Sequence, residues 1–244
     1  MKLIFWGTSH GVPQPDRFCS AALLQCAGGV YLLDGGAPVA DLMVRGGIPF
    51  SQLRAVFATH MHSDHTFGIP HLCSLANWYF VDASFDVYLP EQAGVEAFRA
   101  MLLAGDKQLC DRRIRLKTVQ AGVVYDDGCL VVTAIPTGHM GEQYPSFAYM
   151  LEGEGRRIFL TGDLRPDASD FPAAAKQLKS DAVICELAHF GPEQIRPHVE
   201  ACPTKRLIFH HVCGMETAVA AVNAWQNTLP FPICFAADGA QYLL

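Results

Sequence analysis

The chain has 244 residues, and half of them are apolar, which is enough material for one large α/β domain or two small ones. Its net charge of −6 excludes a general attraction to nucleic acid, although a local basic patch stays compatible with that charge. No apolar run reaches the length of a membrane span, so we expect no membrane partner.

The first predicted element is a β-strand over residues 2–7. This run is apolar after a single basic residue and ends in Gly7, a pattern that favours a strand over a signal peptide. The nine cysteines of the chain form no Cys-x-x-Cys pair and have no regular spacing, which is typical of reduced thiols. We therefore expect a cytoplasmic protein.

Two further apolar strands, over 21–26 and 30–33, follow a turn-rich loop, and the second of them ends at Asp34. A carboxylate at the tip of a buried strand needs a partner. Asp34 fits two compatible roles, a contact to the back of a metal-bound histidine and the N-cap of a helix over 37–45.

The most informative stretch follows the next apolar strand, over 55–58, and holds four candidate metal ligands within six residues. In extended chain, positions i and i+2 project to the same side, so His60 and His62 can chelate one ion. Asp64 and His65 follow a turn and suit a second, neighbouring ion. Three histidines and an aspartate at this density are not typical of a solvated loop.

The middle of the chain shows regular helix and strand patterns. They predict a helix over 69–79, a strand over 85–89, an amphipathic helix over 90–104, and strands over 114–119 and 130–135 with a turn at 126–128 between them. No linker, repeat or low-complexity segment interrupts these patterns. We therefore predict a single domain over 1–244.

More candidate ligands stand where later strands end. His139 follows the strand over 130–135, and we assign it as the third ligand of the first ion. Asp163 follows a predicted hairpin with strands over 147–151 and 157–160. The strand over 206–209 is followed by His210 and His211, and only one of the two can face the site, because adjacent residues in extended chain point in opposite directions.

The His-x-His-x-Asp-His motif at 60–65 resembles the metal-binding signature of the metallo-β-lactamase fold superfamily. The opening is similar to ribonuclease Z and its phosphodiesterase relatives in Gly-Thr-Ser-His-Gly-Val-Pro at 7–13, Ser-Ala-Ala-Leu-Leu at 20–24 and Leu-Asp-Gly-Gly at 33–36. Ala-Asp-Gly at 237–239, followed by residues 242–244, also resembles their closing strand. The resemblance implies an α/β (α+β) protein, a four-layer αββα sandwich with two mixed β-sheets packed face to face and helices outside.

The resemblance also implies a complete dinuclear metal site. Thr-Gly-Asp at 161–163 resembles the superfamily's bridging-carboxylate motif, so Asp163 is expected to hold both ions. The family pattern of an apolar triplet, one variable residue and then the ligand favours His211 over His210. The implied ligands are His60, His62 and His139 on one ion and Asp64, His65 and His211 on the other. The two divalent ions would be zinc, with manganese or iron as alternatives between which the sequence does not choose.

A proton donor for the leaving group is harder to assign. In ribonuclease Z this role belongs to a histidine in a His-Glu-Ala-Thr stretch, and Cys185 stands at the matching position here. Glu186 fits the pattern, and His189 lies a short step beyond as the candidate donor. His10 or water is the alternative. Asp64 would both hold an ion and orient the hydroxide nucleophile between the two ions.

Ribonuclease Z also carries a basic arm for transfer RNA between its third and fourth metal motifs. Here His139 and Asp163 are 24 positions apart, and a complete hairpin fills the interval, so no arm fits. We therefore expect a metal-dependent phosphodiesterase acting on a small, cyclic or linear, phosphodiester. The alternatives are an RNA endonuclease without the arm, a lactone or thioester hydrolase, and a non-enzymatic metal-binding scaffold. The substrate and the oligomeric state stay open, a homodimer being common in the family.

Overall fold

The computed structural model describes residues 1–107, 111–225 and 228–244. Within these ranges the strands are β1 (Lys2–Gly7), β2 (Ala21–Cys26), β3 (Gly29–Leu33), β4 (Leu53–Phe57), β5 (Phe85–Leu89), β6 (Ile114–Thr118), β7 (Gly122–Asp126), β8 (Val131–Thr137), β9 (Ser146–Gly153), β10 (Arg156–Leu160), β11 (Ala182–Leu187), β12 (Leu207–Val212), β13 (Ile233–Phe235) and β14 (Gln241–Leu243). The helices are α1 (Val39–Arg45), α2 (Ser63–Thr66), α3 (Gly68–Trp78), α4 (Gln92–Asp106), α5 (Ala173–Gln177), α6 (Pro192–Glu200) and α7 (Met215–Asn223), and a 3-10 turn spans Phe50–Gln52.

The described strands form two mixed sheets of seven. The first has the order β14-β1-β2-β3-β4-β5-β6, antiparallel from β14 to β3 and parallel from β3 to β6. The second has the order β13-β12-β11-β10-β9-β8-β7, parallel from β13 to β10 and antiparallel from β10 to β7. The two sheets therefore share one strand pattern. In each, an antiparallel meander is followed along the chain by parallel strands.

Three apolar layers hold the sheets and helices together. In β4, Val56 packs in the layer under α1, α3 and α4, whereas Ala55 and Phe57 pack between the two sheets. In β11, Val183 packs under the helices of the other half and Ile184 between the sheets. Strands covered on both faces read as continuous apolar runs, which is why the sequence shows them clearly. The expected four-layer αββα sandwich is confirmed.

The structure corrects the strand predictions in two places. β7 and β13 were not predicted; β7 is an edge strand with largely exposed side chains, and β13 has three residues. Neither has the buried, alternating pattern that identifies a strand in a sequence. The helix predicted over 90–104 instead spans Gln92–Asp106.

Two compositional expectations bear on the environment of the protein. None of the helices in the described ranges is long and apolar enough to cross a membrane. The eight cysteines in those ranges are all free thiols. The cytoplasmic location stays a prediction.

The hydroxyl of Tyr149 joins the two sheets at the base of the loop that carries the His-x-His-x-Asp-His motif. Tyr149 is fully buried, and its hydroxyl donates a 2.8 Å hydrogen bond to the Ala58 carbonyl. Tyr149→Phe leaves that carbonyl without a partner, so we expect the free energy of unfolding to fall by about 1–3 kcal/mol. Urea denaturation measures the change, and Tyr79→Phe, at a tyrosine that is 76% exposed, is the matched control that we expect to unfold like the wild type.

Candidate metal centre

The seven predicted ligands come together at one edge of the sandwich, where strands of both sheets end. They are His60 and His62 after β4, Asp64 and His65 in α2, His139 after β8, Asp163 after β10 and His211 in β12. Parallel strands end at the same edge of their sheet, so a residue that follows each of them reaches a common point. Within the described residues, these side chains form groups whose ligand atoms lie within 4.8 Å of one another.

The first group consists of His60, His62, His139 and Asp163. His62 Nδ1 lies 2.9 Å from His60 Nε2 and 3.3 Å from His139 Nε2. His60 Nε2 in turn lies 3.6 Å from Asp163 Oδ2. Three imidazole nitrogens and one carboxylate oxygen therefore face a common point, and His62, the exposed member, leaves this side open to solvent.

The second group consists of Asp64, His65 and His211. His65 Nε2 lies 3.3 Å from Asp64 Oδ2, and His211 Nε2 lies 3.8 Å from the same oxygen. The Gly11 amide donates a 3.1 Å hydrogen bond to Asp64 Oδ2, which holds the carboxylate in this orientation. The two groups are neighbours, because each includes nitrogens close to Asp163.

Asp163 lies at the centre of the arrangement. Its Oδ2 is 3.3 Å from His211 Nε2, 3.4 Å from His65 Nε2 and 3.8 Å from His139 Nε2. Burial alone would raise the pKa of Asp163, but the charges of His211, His65 and His60 outweigh it and hold the pKa well below its usual value. A buried, ionised carboxylate that faces histidines of both groups has the position required of a ligand shared by two cations.

The surroundings of His65 indicate that the centre needs a cation. His65 Nδ1 bonds to Asp34, whereas its buried Nε2 has no hydrogen-bond partner among the described residues and faces two carboxylates. Burial lowers the pKa of His65, but Asp163 and Asp34 raise it well above its usual value. The pocket is therefore strongly favourable to positive charge, and the histidine and carboxylate donors fit a divalent ion.

Four of the five candidate ligand histidines are oriented from behind by hydrogen bonds at their Nδ1 atoms. The pairs are His65 with Asp34 Oδ2 (2.8 Å), His60 with Thr59 Oγ1 (3.0 Å), His211 with Ser20 Oγ (2.8 Å) and His139 with the Leu164 carbonyl (3.1 Å). Such contacts fix the ring and direct Nε2 at the centre. Asp34 thus makes the predicted contact to the back of a candidate ligand histidine. It does not have its other predicted role, that of a helix N-cap, because α1 begins at Val39 and has no side-chain cap.

The adjacent histidines of β12 are separated by a bulge. Glu186 of β11 pairs with His210 and Leu187 pairs with Val212, so His211 is left out of the ladder, and its φ is 51°. His210 instead packs against the Phe5 ring at 5.7 Å, and burial lowers its pKa to about 3. The structure therefore brings His211 to the centre and leaves His210 outside it.

The predicted proton donor lies at the open side of the centre. His189 Nδ1 is 3.0 Å from Glu186 Oε1 and 3.8 Å from Asp163 Oδ2, and the side chain is 30% exposed. Glu186 is fully buried and also accepts hydrogen bonds from the amides of Leu164 and Ala188, both at 2.8 Å. The hydrogen bond that His189 donates to Glu186 raises the pKa of His189 despite its burial. This arrangement favours the protonated form of the imidazole beside the candidate metal site.

The alternative donor, His10, lies near the second group, within electrostatic range of His211 and Asp64. Burial lowers its pKa, and His211 lowers it further, although Asp64 acts in the opposite direction. A histidine with a lowered pKa is mostly neutral near pH 7, which suits a hydrogen-bonding contact better than proton donation. The pKa directions therefore favour His189 over His10.

Several positioning residues could not be found from the sequence. Ser20 contacts His211 across 191 positions of the chain, and no local pattern indicates such a pair. Thr59 stands next to His60 in the motif, but nothing in the sequence shows that its hydroxyl joins the ring to Asp34. Asp170 accepts hydrogen bonds from the amides of Gly138 and Arg165 and so connects the loops of two candidate ligands.

The Asp34 contact leads to a testable expectation. Asn has the shape of Asp and tolerates the positive φ of 56° found at this position, so Asp34→Asn removes the charge behind His65 with little strain. We expect the affinity for the metal that His65 helps to hold to fall by about 10- to 100-fold. Competition with a metal chelator measures it. Asp41→Asn, at an exposed carboxylate of α1, is the control, and equal affinities in the two variants would contradict the role of Asp34.

Comparisons with known proteins find similar sequences over most of the chain. The family model described as anti-Pycsar protein Apyc1 matches residues 1–200. Ribonuclease Z of Listeria monocytogenes is 27% identical over 188 residues, which cover 75% of this chain. The chain spans 60% of the length of that relative.

Solved structures share the fold over the whole chain. The short form of human tRNase Z has a TM-score of 0.77 at 21% identity and covers 100% of this chain and 99% of its own. The metallo-β-lactamase fold protein YhfI from Bacillus subtilis has a TM-score of 0.79 at 17% identity, with 99% of both chains covered. The αββα sandwich described above is therefore the metallo-β-lactamase fold.

Proposed function

The chain belongs to the family of the anti-Pycsar protein Apyc1, and we propose that it is a metal-dependent phosphodiesterase that hydrolyses a small, cyclic phosphodiester. The observation that carries the proposal is the position of Asp163, whose Oδ2 lies 3.3 to 3.8 Å from a nitrogen of each of four candidate ligand histidines. Two-cation centres of this kind are suited to displacement at phosphorus, where charge builds on several oxygens at once.

We propose that two divalent cations are held by the seven side chains. His60, His62 and His139 would hold the first, Asp64, His65 and His211 the second, and Asp163 both. Nitrogen and oxygen donors without thiolates suit zinc, and also manganese or iron. When bound, such ions make water more acidic and stabilise negative charge on phosphate oxygens.

The protein's own groups would then orient and protonate the reacting atoms. Asp64, fixed by the Gly11 amide, accepts a hydrogen bond from the attacking water and so sets its direction. His189, held by Glu186, which raises its pKa, donates its proton to the leaving oxygen of the diester. Because Nδ1 of His189 is taken by Glu186, the proton that is donated is the one on Nε2.

The chain segment between the candidate ligands His139 and Asp163 supports a small substrate. The β9–β10 hairpin occupies this interval and its strands belong to the second sheet, which leaves no insertion for gripping a large nucleic acid. The second candidate function, an RNA endonuclease, is supported by the ribonuclease Z relative. A cytoplasmic location, a single domain over 1–244 and a homodimer stay predictions.

A substrate panel tests the proposal. Metal-loaded protein is assayed with bis(p-nitrophenyl) phosphate, 3′,5′-cyclic nucleotides, a precursor transfer RNA and a p-nitrophenyl carboxylic ester. We expect hydrolysis of the diesters, with cyclic nucleotides preferred over RNA. A higher kcat/KM for the precursor RNA would support the endonuclease instead, and turnover of the carboxylic ester alone would contradict both. Asp64→Ala identifies any contaminating nuclease, since its activity would persist in that variant.

A further inference from the structure

A polar cleft lies at the end of the second sheet that is opposite the candidate metal centre. It has a volume of about 650 Å³ and is lined by the segments that precede β10, β11 and β12. These strands run in parallel away from the cleft and towards the candidate metal centre. Five residues of strand separate the two places by about 16 Å, so the cleft does not touch the residues of that centre.

The cleft contains more positive charge than its own acids neutralise. Asp181 Oδ1 is shared by two cations, Arg156 at 3.0 Å and Lys205 at 2.8 Å. Lys179, which is exposed, has no carboxylate partner in the described part of the chain. In a chain with a net charge of −6, a wall with excess positive charge is a local exception.

The remaining charges of the cleft are already paired. Arg157 bonds to Glu152 at 2.7 Å and also donates to the Lys179 carbonyl at 2.8 Å. The Glu154 carboxylate is turned to the Ala27 amide and to the Met1 ammonium. These pairs hold the rim in place, and the cations left over are Lys179 and the pair on Asp181.

Ser180 also lines the cleft, and its hydroxyl is a buried donor without an acceptor. Its backbone is fixed by hydrogen bonds from its amide to the Pro203 carbonyl and from the Lys205 amide to its own carbonyl. The side chain is 4% exposed, yet its Oγ has no hydrogen-bond partner among the described residues. Buried hydroxyls are nearly always paired, because an unpaired one loses its hydrogen bonds to water without compensation.

We infer that this cleft is a binding site for a small oxyanion with two negative charges, a phosphate or a phosphate monoester. Such a ligand accepts hydrogen bonds from a hydroxyl and from several cations at once. Its negative charge also neutralises the positive charge that remains after Asp181 and Glu152 have paired with cations of the cleft. The site is separate from the candidate metal centre, and the inference does not depend on the reaction proposed for that centre.

The test is a titration of metal-loaded protein with inorganic phosphate, followed by backbone amide chemical shifts so that each site is seen separately. We expect the amides of residues 179–181 and 205 to shift along one saturating curve. Lys179→Gln is expected to weaken this binding by about tenfold, the loss of one charge-assisted contact. Ser180→Ala is expected to weaken it too without lowering the melting temperature, since its hydroxyl has no partner to lose. Lys176→Gln, on α5 and outside the cleft, is expected to bind like the wild type.

Three results would overturn the inference. The first is a phosphate response confined to amides around the candidate metal ligands. The second is an unchanged titration of residues 179–181 in both Lys179→Gln and Ser180→Ala, each of which remains folded by its amide spectrum. The third is a loss of binding in Lys176→Gln equal to that in Lys179→Gln, which would show only a general effect of charge.

Discussion

Asp163→Asn is expected to weaken metal binding and to lower phosphodiester hydrolysis by about a thousandfold or more, because in the proposed centre this ligand is shared by two cations and supplies several kcal/mol of charge stabilisation. Asp163 Oδ2 faces nitrogens of His60, His65, His139 and His211 at 3.3 to 3.8 Å. Asparagine has nearly the same volume, but its oxygen carries no full charge with which to hold two ions.

Metal analysis and hydrolysis of bis(p-nitrophenyl) phosphate measure the effect of Asp163→Asn. Asp167→Asn is the matched control, since Asp167 follows on the same loop, is exposed and bonds only locally to Ser169. We expect the control to retain metal and activity. An Asp163→Asn protein with a full metal content and wild-type turnover would contradict the assignment of Asp163 as the shared ligand.

His189→Gln is expected to lower kcat for a cyclic nucleotide by about 10²- to 10⁴-fold, the usual contribution of a positioned general acid. The metal content should not change, because His189 is held by Glu186 at the open side of the centre. The loss should be much smaller with bis(p-nitrophenyl) phosphate, whose leaving group is stable as an anion and needs little protonation.

The contrast between the two substrates separates proton donation from a structural role. Equal losses on both substrates, or loss of metal, would show that His189 supports the site instead of donating a proton. His10→Gln is the informative comparison, since His10 is the alternative donor. If His10→Gln shows the substrate-dependent loss and His189→Gln does not, the roles are reversed.

The candidate ligands could be predicted from the sequence because they lie at the end of a buried strand or within a few residues after it. The motif at 60–65 shows its chemistry by spacing alone, and the strands before His139 and Asp163 are apolar enough to be recognised. β7 and β13 could not be predicted in this way, since one is an exposed edge and the other has three residues. The layers of the sandwich were implied by the resemblance of the motifs.

The rest of the site depends on contacts between distant segments. The choice of His211 over His210 is made in the structure by a bulge and a positive φ, neither of which has a sequence signature at a histidine. The orientation of His189 depends on Glu186, which is fixed by amides of two different loops. The polar cleft is likewise lined by segments that lie far apart in the sequence, so its charged residues form no local sequence pattern.

The most direct test of the central claim is the metal content of the purified wild-type chain after loading with zinc, measured beside Asp64→Ala together with hydrolysis of bis(p-nitrophenyl) phosphate. The arrangement of the seven side chains predicts about two ions per wild-type chain and diester hydrolysis that is lost in Asp64→Ala. A wild-type chain that retains no metal at saturating zinc would contradict the dinuclear centre and the hydrolytic function derived from it.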